Sequence, residues 1–219
     1  MVVLLTNRPF LLLIGAVFLI STGVMMISAL LFFMVDAYLG MGEYYAIMMT
    51  AGLLVGVPSL GLWYKLMAKK SKIFCLVFGL SGMIFAPLAW LLLITILLNG
   101  LTAGVVALLP SFTSDVIDYD AWKSGQDRAA TYFSLYTLTL KSTVALGGAL
   151  ALGIAGAYGF DATLSEHSED SIRGLHLAIG YLPALCFLLA IPLILLGPIT
   201  QRRHKIIRAR LDQRMLSVG

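Results

Sequence analysis

Charge is what this sequence has least of. Of 219 residues only 12% are Asp, Glu, Lys or Arg, against 60% hydrophobic, and soluble domains carry about twice that share of charge. A water-soluble fold is therefore excluded. Cysteine is almost as scarce: Cys75 and Cys186 both fall inside apolar runs, which leaves no disulfide framework and no metal-ligand spacing. His167, His176 and His204 are scattered over loops and helix ends, where solvated side chains are the expectation and ligands are not. No glycine-rich phosphate loop, serine-centred elbow or metal motif occurs, so no catalytic residue is assigned and an enzyme is not expected. The first apolar run is too long for a signal-peptide core and lacks a small-x-small exit, so it reads as a true span.

What is present is a set of long charge-free stretches: Pro9 to Val35, Tyr44 to Tyr64, Ile73 to Ser114 and Gly174 to Gln201, with Ala129 to Phe160 broken only by Lys141. A membrane helix needs about 20 residues. The Ile73 to Ser114 run would make about 63 Å of helix against a ~30 Å hydrocarbon core, so it reads as two spans. Pro87 and Trp90 mark the turn between them. The expectation is an all-α membrane protein with six transmembrane helices near 10–35, 44–64, 73–88, 91–114, 131–158 and 175–199. Together these fill a bundle over 10–200, with a short segment 1–9 before it and a basic tail 201–219 after it.

Basic residues resist translocation, so their distribution sets the orientation. Arg8, Lys65, Lys69, Lys70, Lys72, Lys123, Arg128 and the tail residues from Arg202 to Arg214 collect on one side, and only Arg173 falls on the other. Both termini are expected in the cytoplasm. The formal +4 charge then reflects topology and contact with anionic membrane lipid, and no nucleic-acid partner is implied.

Two places carry polarity that a span does not need. Ser114 to Arg128 is the most charge-dense inner segment, and Asp115 and Asp118 would share a face if the helix continued, with Lys123 or Arg128 in reach. It reads either as a solvated loop or as an ion-pair latch at a transporter mouth. The second place is Lys141, about 15 Å along a helix from Thr131 and so near mid-membrane. A lysine there costs roughly 3 kcal/mol or more and is too deep to snorkel. Thr137 lies one turn earlier and Ser134 one turn before that, making a polar stripe suited to a polyhydroxylated or anionic ligand. A structural interhelical pair is the alternative. On the same helix Gly147, Ala151 and Ala155 let a neighbouring backbone approach closely. Asn99, inside helix four, is read as an interhelical or headgroup-level side chain, with substrate contact the alternative.

Asn7-Arg8-Pro9-Phe10-Leu11 opening a span, Asp115-Val116-Ile117-Asp118-Tyr119 with Lys123 and Gly125, and Phe133-Ser134-Leu135-Tyr136 through Lys141 to Ala145-Leu146-Gly147-Gly148-Ala149-Leu150 together resemble one family. It is the glycoside-pentoside-hexuronide:cation symporters of the major facilitator superfamily, relatives of melibiose permease. The resemblance covers essentially the whole chain as the C-terminal six-helix half of that fold. Residues 1–9 then correspond to the end of the cytoplasmic loop between halves. It implies cation-coupled (Na⁺ or H⁺) symport of a sugar or glycoside by alternating access, in the bacterial inner membrane, with no other cofactor and no metal site. Lys141 and Thr137 match residues at the central sugar and cation region. Ser134 and Tyr136, in the same motif, join them as candidate substrate-binding residues. Asp115, Asp118, Tyr119, Lys123 and Arg128 are the candidate cytoplasmic gate. The cation-binding aspartates are expected mainly in an N-terminal half that this sequence does not contain, so the chain is expected to be inactive without that half or a second copy. A lysolipid or other amphiphile carrier of the same superfamily, or a non-transporting scaffold, is the alternative. The chain departs from the family pattern twice: Arg128-Ala129-Ala130 stands where arginine-x-glutamate is usual, and the basic loop after helix two lacks its usual aspartate.

Overall fold

The computed structural model describes residues 7–85, 91–164, 167–197, 206, 207 and 210, with side chains at 84–85 and 91–98 outside that description. All regular structure among the described residues is helical. Helix α1 runs Arg8–Tyr38 and closes in a π turn, Met34–Tyr38. Its start is set by Asn7, whose side chain accepts from the Phe10 amide, with Pro9 in the first turn where its missing N–H goes unnoticed. Helix α2 spans Gly42–Lys69, α3 Lys72–Phe85, α4 Leu91–Ser124, α5 Ala129–Ala157 and α6 Glu169–Leu195, the last with a π turn at Leu177–Tyr181. Ser71 caps α3 and Ser168 caps α6 by accepting from backbone amides at 3.1 and 3.2 Å.

The six helices pack in an arc. Helix α1 lies between α5 and α6, α6 packs on α3, α3 on α4, and α4 on α2. Helices α2 and α5 are thus the two ends of the arc, with no substantial packing between them among the described residues. The apolar core is built from the facing sides of the inner members, including Val17 and Ile20 of α1, Leu76 and Leu80 of α3, Leu108 of α4 and Phe187 of α6. In α1 half of the most apolar window is buried, whereas in α2 and α5 only 22% is. In a bilayer such association is driven by close packing, and small residues mark the tightest approaches. Gly147 sits against the α1 backbone, where an added Cβ would lie 2.6 Å from Met25 Cβ and 3.0 Å from the Thr22 carbonyl oxygen. Ala151 and Ala155 continue that buried stripe, as their spacing predicts. On the other side Gly104 receives the Trp63 ring, whose Nε1 donates to the Gly100 carbonyl at 2.9 Å. Asn99 lies against Gly52 and Gly56 of α2, placing it in the α2–α4 interface.

Among the described residues five helices are long and apolar enough to cross a membrane: Arg8–Tyr38, Gly42–Lys69, Asn99–Ser124, Ala129–Ala157 and Glu169–Leu195. Helix α3 is described from Lys72 to Phe85, and the described stretch ends there. The expected turn at Pro87 to Trp90 lies outside the described residues, as does most of the tail. Helix α4 continues ten residues past the expected boundary at 114, so Asp115 to Lys123 is helical. It ends at Gly125, which takes φ +70° and donates its amide to the Ala121 carbonyl at 2.9 Å, a left-handed cap that glycine adopts without strain. Helix α6 begins at Glu169, earlier than expected, because Ser168 caps it and Glu169 and Asp170 favour its N-terminus.

Candidate functional site

Polar side chains gather at two levels. At the end of the bundle that carries Arg8, Lys72 and Arg128, the helical continuation of α4 sorts its carboxylates by direction. Asp115 and Asp120 are five residues apart and so about 140° apart around the axis. Asp115 turns to α3 and takes the Lys72 ammonium on both oxygens, at 2.7 and 2.8 Å. Asp120 turns to α5 and lies 3.5 Å from Arg128 Nη1. Both carboxylates are buried, at 6% and 7% exposure, so each cation offsets a desolvation cost that neither acid would meet alone. Arg128 is held from its other side by Gln126, whose Oε1 accepts from Nε and Nη2 at 3.1 and 2.6 Å.

Beneath the second pair, Tyr132 is fully buried and its hydroxyl accepts a hydrogen bond from Asn7 Nδ2 at 2.7 Å. Its ring meets Phe10 edge to face, with centroids 4.7 Å apart. Phe10, Val116, Ile117 and Tyr132 form one apolar cluster that joins the start of α1, the end of α4 and the start of α5. From the tail, Ile207 is buried and the Arg210 guanidinium lies over the Trp122 ring at 5.8 Å.

Of the five residues expected here, Asp115 and Arg128 enter ion pairs, though not with each other. Asp118 and Tyr119 are half-buried on α4, with Tyr119 against Trp122 at 6.2 Å, and Lys123 is exposed. Lys72, Asp120, Tyr132 and Asn7 complete the cluster and were not singled out for it. Lys72 reads in sequence as one more topogenic lysine. Asp120 could have been found by assuming helix through Ser114 to Arg128 and projecting each acid onto a face.

The second level is on α5. Its buried positions, Tyr132, Tyr136, Thr143, Gly147, Ala151 and Ala155, form one stripe against the bundle. Ser134, Thr137 and Lys141 lie on the exposed surface. Lys141 is two residues before Thr143 and therefore about 160° around the helix from that stripe. Among the described residues no carboxylate forms an ion pair with Lys141. Ser134 Oγ donates to the Ala130 carbonyl at 2.8 Å, which leaves its lone pairs available. Tyr136 is separated from the other three: it is 8% exposed and belongs to the central apolar cluster, with Phe133 6.5 Å away.

The described residues contain no group of His, Cys, Asp or Glu able to hold a metal ion. A small cavity of about 40 Å³ between α1, α3, α4 and α6 is lined by apolar side chains including Leu13, Leu76, Leu109 and Ile194.

A family model described as MFS/sugar transport protein matches residues 1–201. A protein of Bacillus subtilis (strain 168) described as an uncharacterized symporter, YjmB, is 34% identical over 120 residues, which is 53% of this chain and 24% of that protein. The match thus spans about a quarter of the relative's length.

Proposed function

The chain belongs to the MFS/sugar transport protein family, and from that premise we propose that it is one six-helix half of a cation-coupled sugar transporter working by alternating access. It is a multi-pass integral membrane protein and a transporter, not an enzyme. In the proposed arrangement α3, with the residues that follow it, returns across the membrane, giving six spans with both termini in the cytoplasm of a bacterial inner membrane. Geometry supports the even count. The Lys72–Asp115 pair joins the start of α3 to the end of α4, so an α4 that crosses requires an α3 that crosses back.

The observation that carries the functional reading is the position of Ser134, Thr137 and Lys141. All three are exposed on α5, an end member of the arc, while the core fills the other side. A mid-membrane ammonium facing lipid costs several kcal/mol, so such a face calls for a cavity or a partner. In transporters whose two halves are related by an axis along the membrane normal, the substrate site lies at the midplane between the halves. Lys141 and Thr137 are assigned to sugar binding, with Ser134 at the stripe's cytoplasmic end. The Na⁺ or H⁺ site is assigned mainly to the opposing half. Asp115 with Lys72, and Asp120 with Arg128, hold the cytoplasmic ends of α3, α4 and α5 together on the closed side.

The test is uptake by the transporter assembled from this chain and a second six-helix unit. Lys141→Met is expected to abolish cation-driven glycoside accumulation, and Thr137→Val to raise the apparent KM. Unimpaired coupled uptake by Lys141→Met overturns the assignment. Thermal shifts selective for lysophospholipids over glycosides would replace the sugar with an amphiphile.

A further inference from the structure

Tyr132 is charged to no role by the ion pairs or the polar stripe, yet among the described residues it is the largest fully buried side chain. A buried phenol needs a partner for its hydroxyl. Here it accepts from Asn7 Nδ2 at 2.7 Å, and Asn7 is itself fixed because its Oδ1 accepts from the Phe10 amide at 3.4 Å. Having accepted one bond, the phenol keeps its own O–H to give. The hydroxyl thus joins the start of α1 to the start of α5, at the same end of the bundle as the Asp120–Arg128 pair, and the Tyr132 ring packs with Val116 and Ile117 of α4.

We propose that Tyr132 is a positioning residue of the inner gate, its hydroxyl tying the start of α1 to the turn between α4 and α5 so that these ends part together or not at all. The proposal rests on the alternating-access reading above, but it concerns which contacts hold one end shut and not what is carried. Its physical content is that Asn7 and Tyr132 act as a unit. Removing either member should release the same end by about the same amount, because the two partners of one hydrogen bond are not additive. Burial of Ile117, 9% exposed and packed with Tyr132 and Phe10, reports whether that end is closed. Ala178, fully buried in the cluster at the far end of the bundle, reports the opposite end.

The experiment uses the full transporter in membrane vesicles with Cys75 and Cys186 replaced by alanine and a single reporter cysteine, Ile117→Cys or Ala178→Cys. Alkylation by a membrane-impermeant maleimide is followed from the side each reporter faces. Tyr132→Phe keeps the ring against Phe10 and removes only the hydroxyl. It is expected to raise the alkylation rate at 117 about five-fold, as loss of one ordinary hydrogen bond would, and to leave 178 unchanged. Asn7→Ser retains an oxygen to cap α1 but is too short to reach Tyr132. It should give the same rise, and the double variant no more than either single one. An unchanged rate at 117, an equal rise at both reporters, or single effects that multiply in the double variant overturns the proposal. If Tyr132→Phe fails to accumulate in the membrane, the rates at 117 and 178 in Asn7→Ser decide it: a rise confined to 117 is expected, and no rise or an equal rise at both overturns the proposal. Labelling needs no substrate, so the result stands apart from success or failure of the sugar-uptake test.

Discussion

At the scale of single residues, the cost of burying charge explains both what the sequence discloses and what it hides. Lys141 stands out because nothing else within thirty residues of apolar helix is charged, and the structure leaves it on the exposed side of α5. Lys72 hides because it is one of four lysines in an eight-residue stretch, and only the fold shows it to be the one that meets a buried acid. Lys72→Met removes the ammonium from a carboxylate that is 6% exposed, and the expected loss is about 1–3 kcal/mol, the cost of leaving a buried polar group short of a partner. Thermal unfolding in detergent measures it. Lys65→Met, exposed in the last turns of α2, should change little, and a loss as large there would remove the special role of Lys72. Tyr136 shows the reverse error. It follows Ser134 by two residues, about 200° around a helix, so membership of the same short motif said nothing about membership of the same face.

At the scale of helices, hydropathy marks where the membrane ends and not where the helix ends. That is why α4 was expected to stop near 114 and continues to Ser124: backbone hydrogen bonds persist into water, and the stop signal is the left-handed Gly125. The Gly-x-x-x-Ala-x-x-x-Ala stripe of α5 was legible because helical period and residue size together specify a contact. The same spacing picks Gly147 over the adjacent Gly148. An added Cβ at Gly147 meets Met25 at 2.6 Å and the Thr22 carbonyl at 3.0 Å, whereas at Gly148 it meets nothing within 4 Å. Gly147→Ala is therefore expected to destabilise by about 1–3 kcal/mol through overpacking against backbone. Gly148→Ala should be neutral or stabilising by up to about 1 kcal/mol, since alanine is the better helix former. Paired denaturation midpoints decide it, and equal effects at the two sites would mean that α1 does not approach α5 at Gly147.

At the scale of the whole molecule, sidedness is the property on which the rest depends, because a binding face is useful only if the ends that close over it lie on known sides. Two contacts constrain it independently. Lys72–Asp115 places the start of α3 and the end of α4 on one side, and Asn7–Tyr132 places the starts of α1 and α5 on one side. With α1 and α2 both crossing, the start of α3 returns to the side of Asn7, and all four points share a side only if α3 and α4 cross as a hairpin. Were α3 to stop short of crossing, Ser124 would emerge opposite Arg8, stranding the basic residues Lys123 and Arg128 on the translocated side against their ordinary preference. Single cysteines distinguish the two topologies in a background lacking Cys75 and Cys186. In the six-span arrangement an impermeant thiol reagent applied to intact cells labels Thr163→Cys, in the exposed turn after α5, and leaves Ser124→Cys untouched until the membrane is opened. Labelling of Ser124→Cys in intact cells with Thr163→Cys protected would mean that α3 does not cross, and would set Lys72 and Asp115, and Asn7 and Tyr132, on opposite sides of the membrane against the contacts they make.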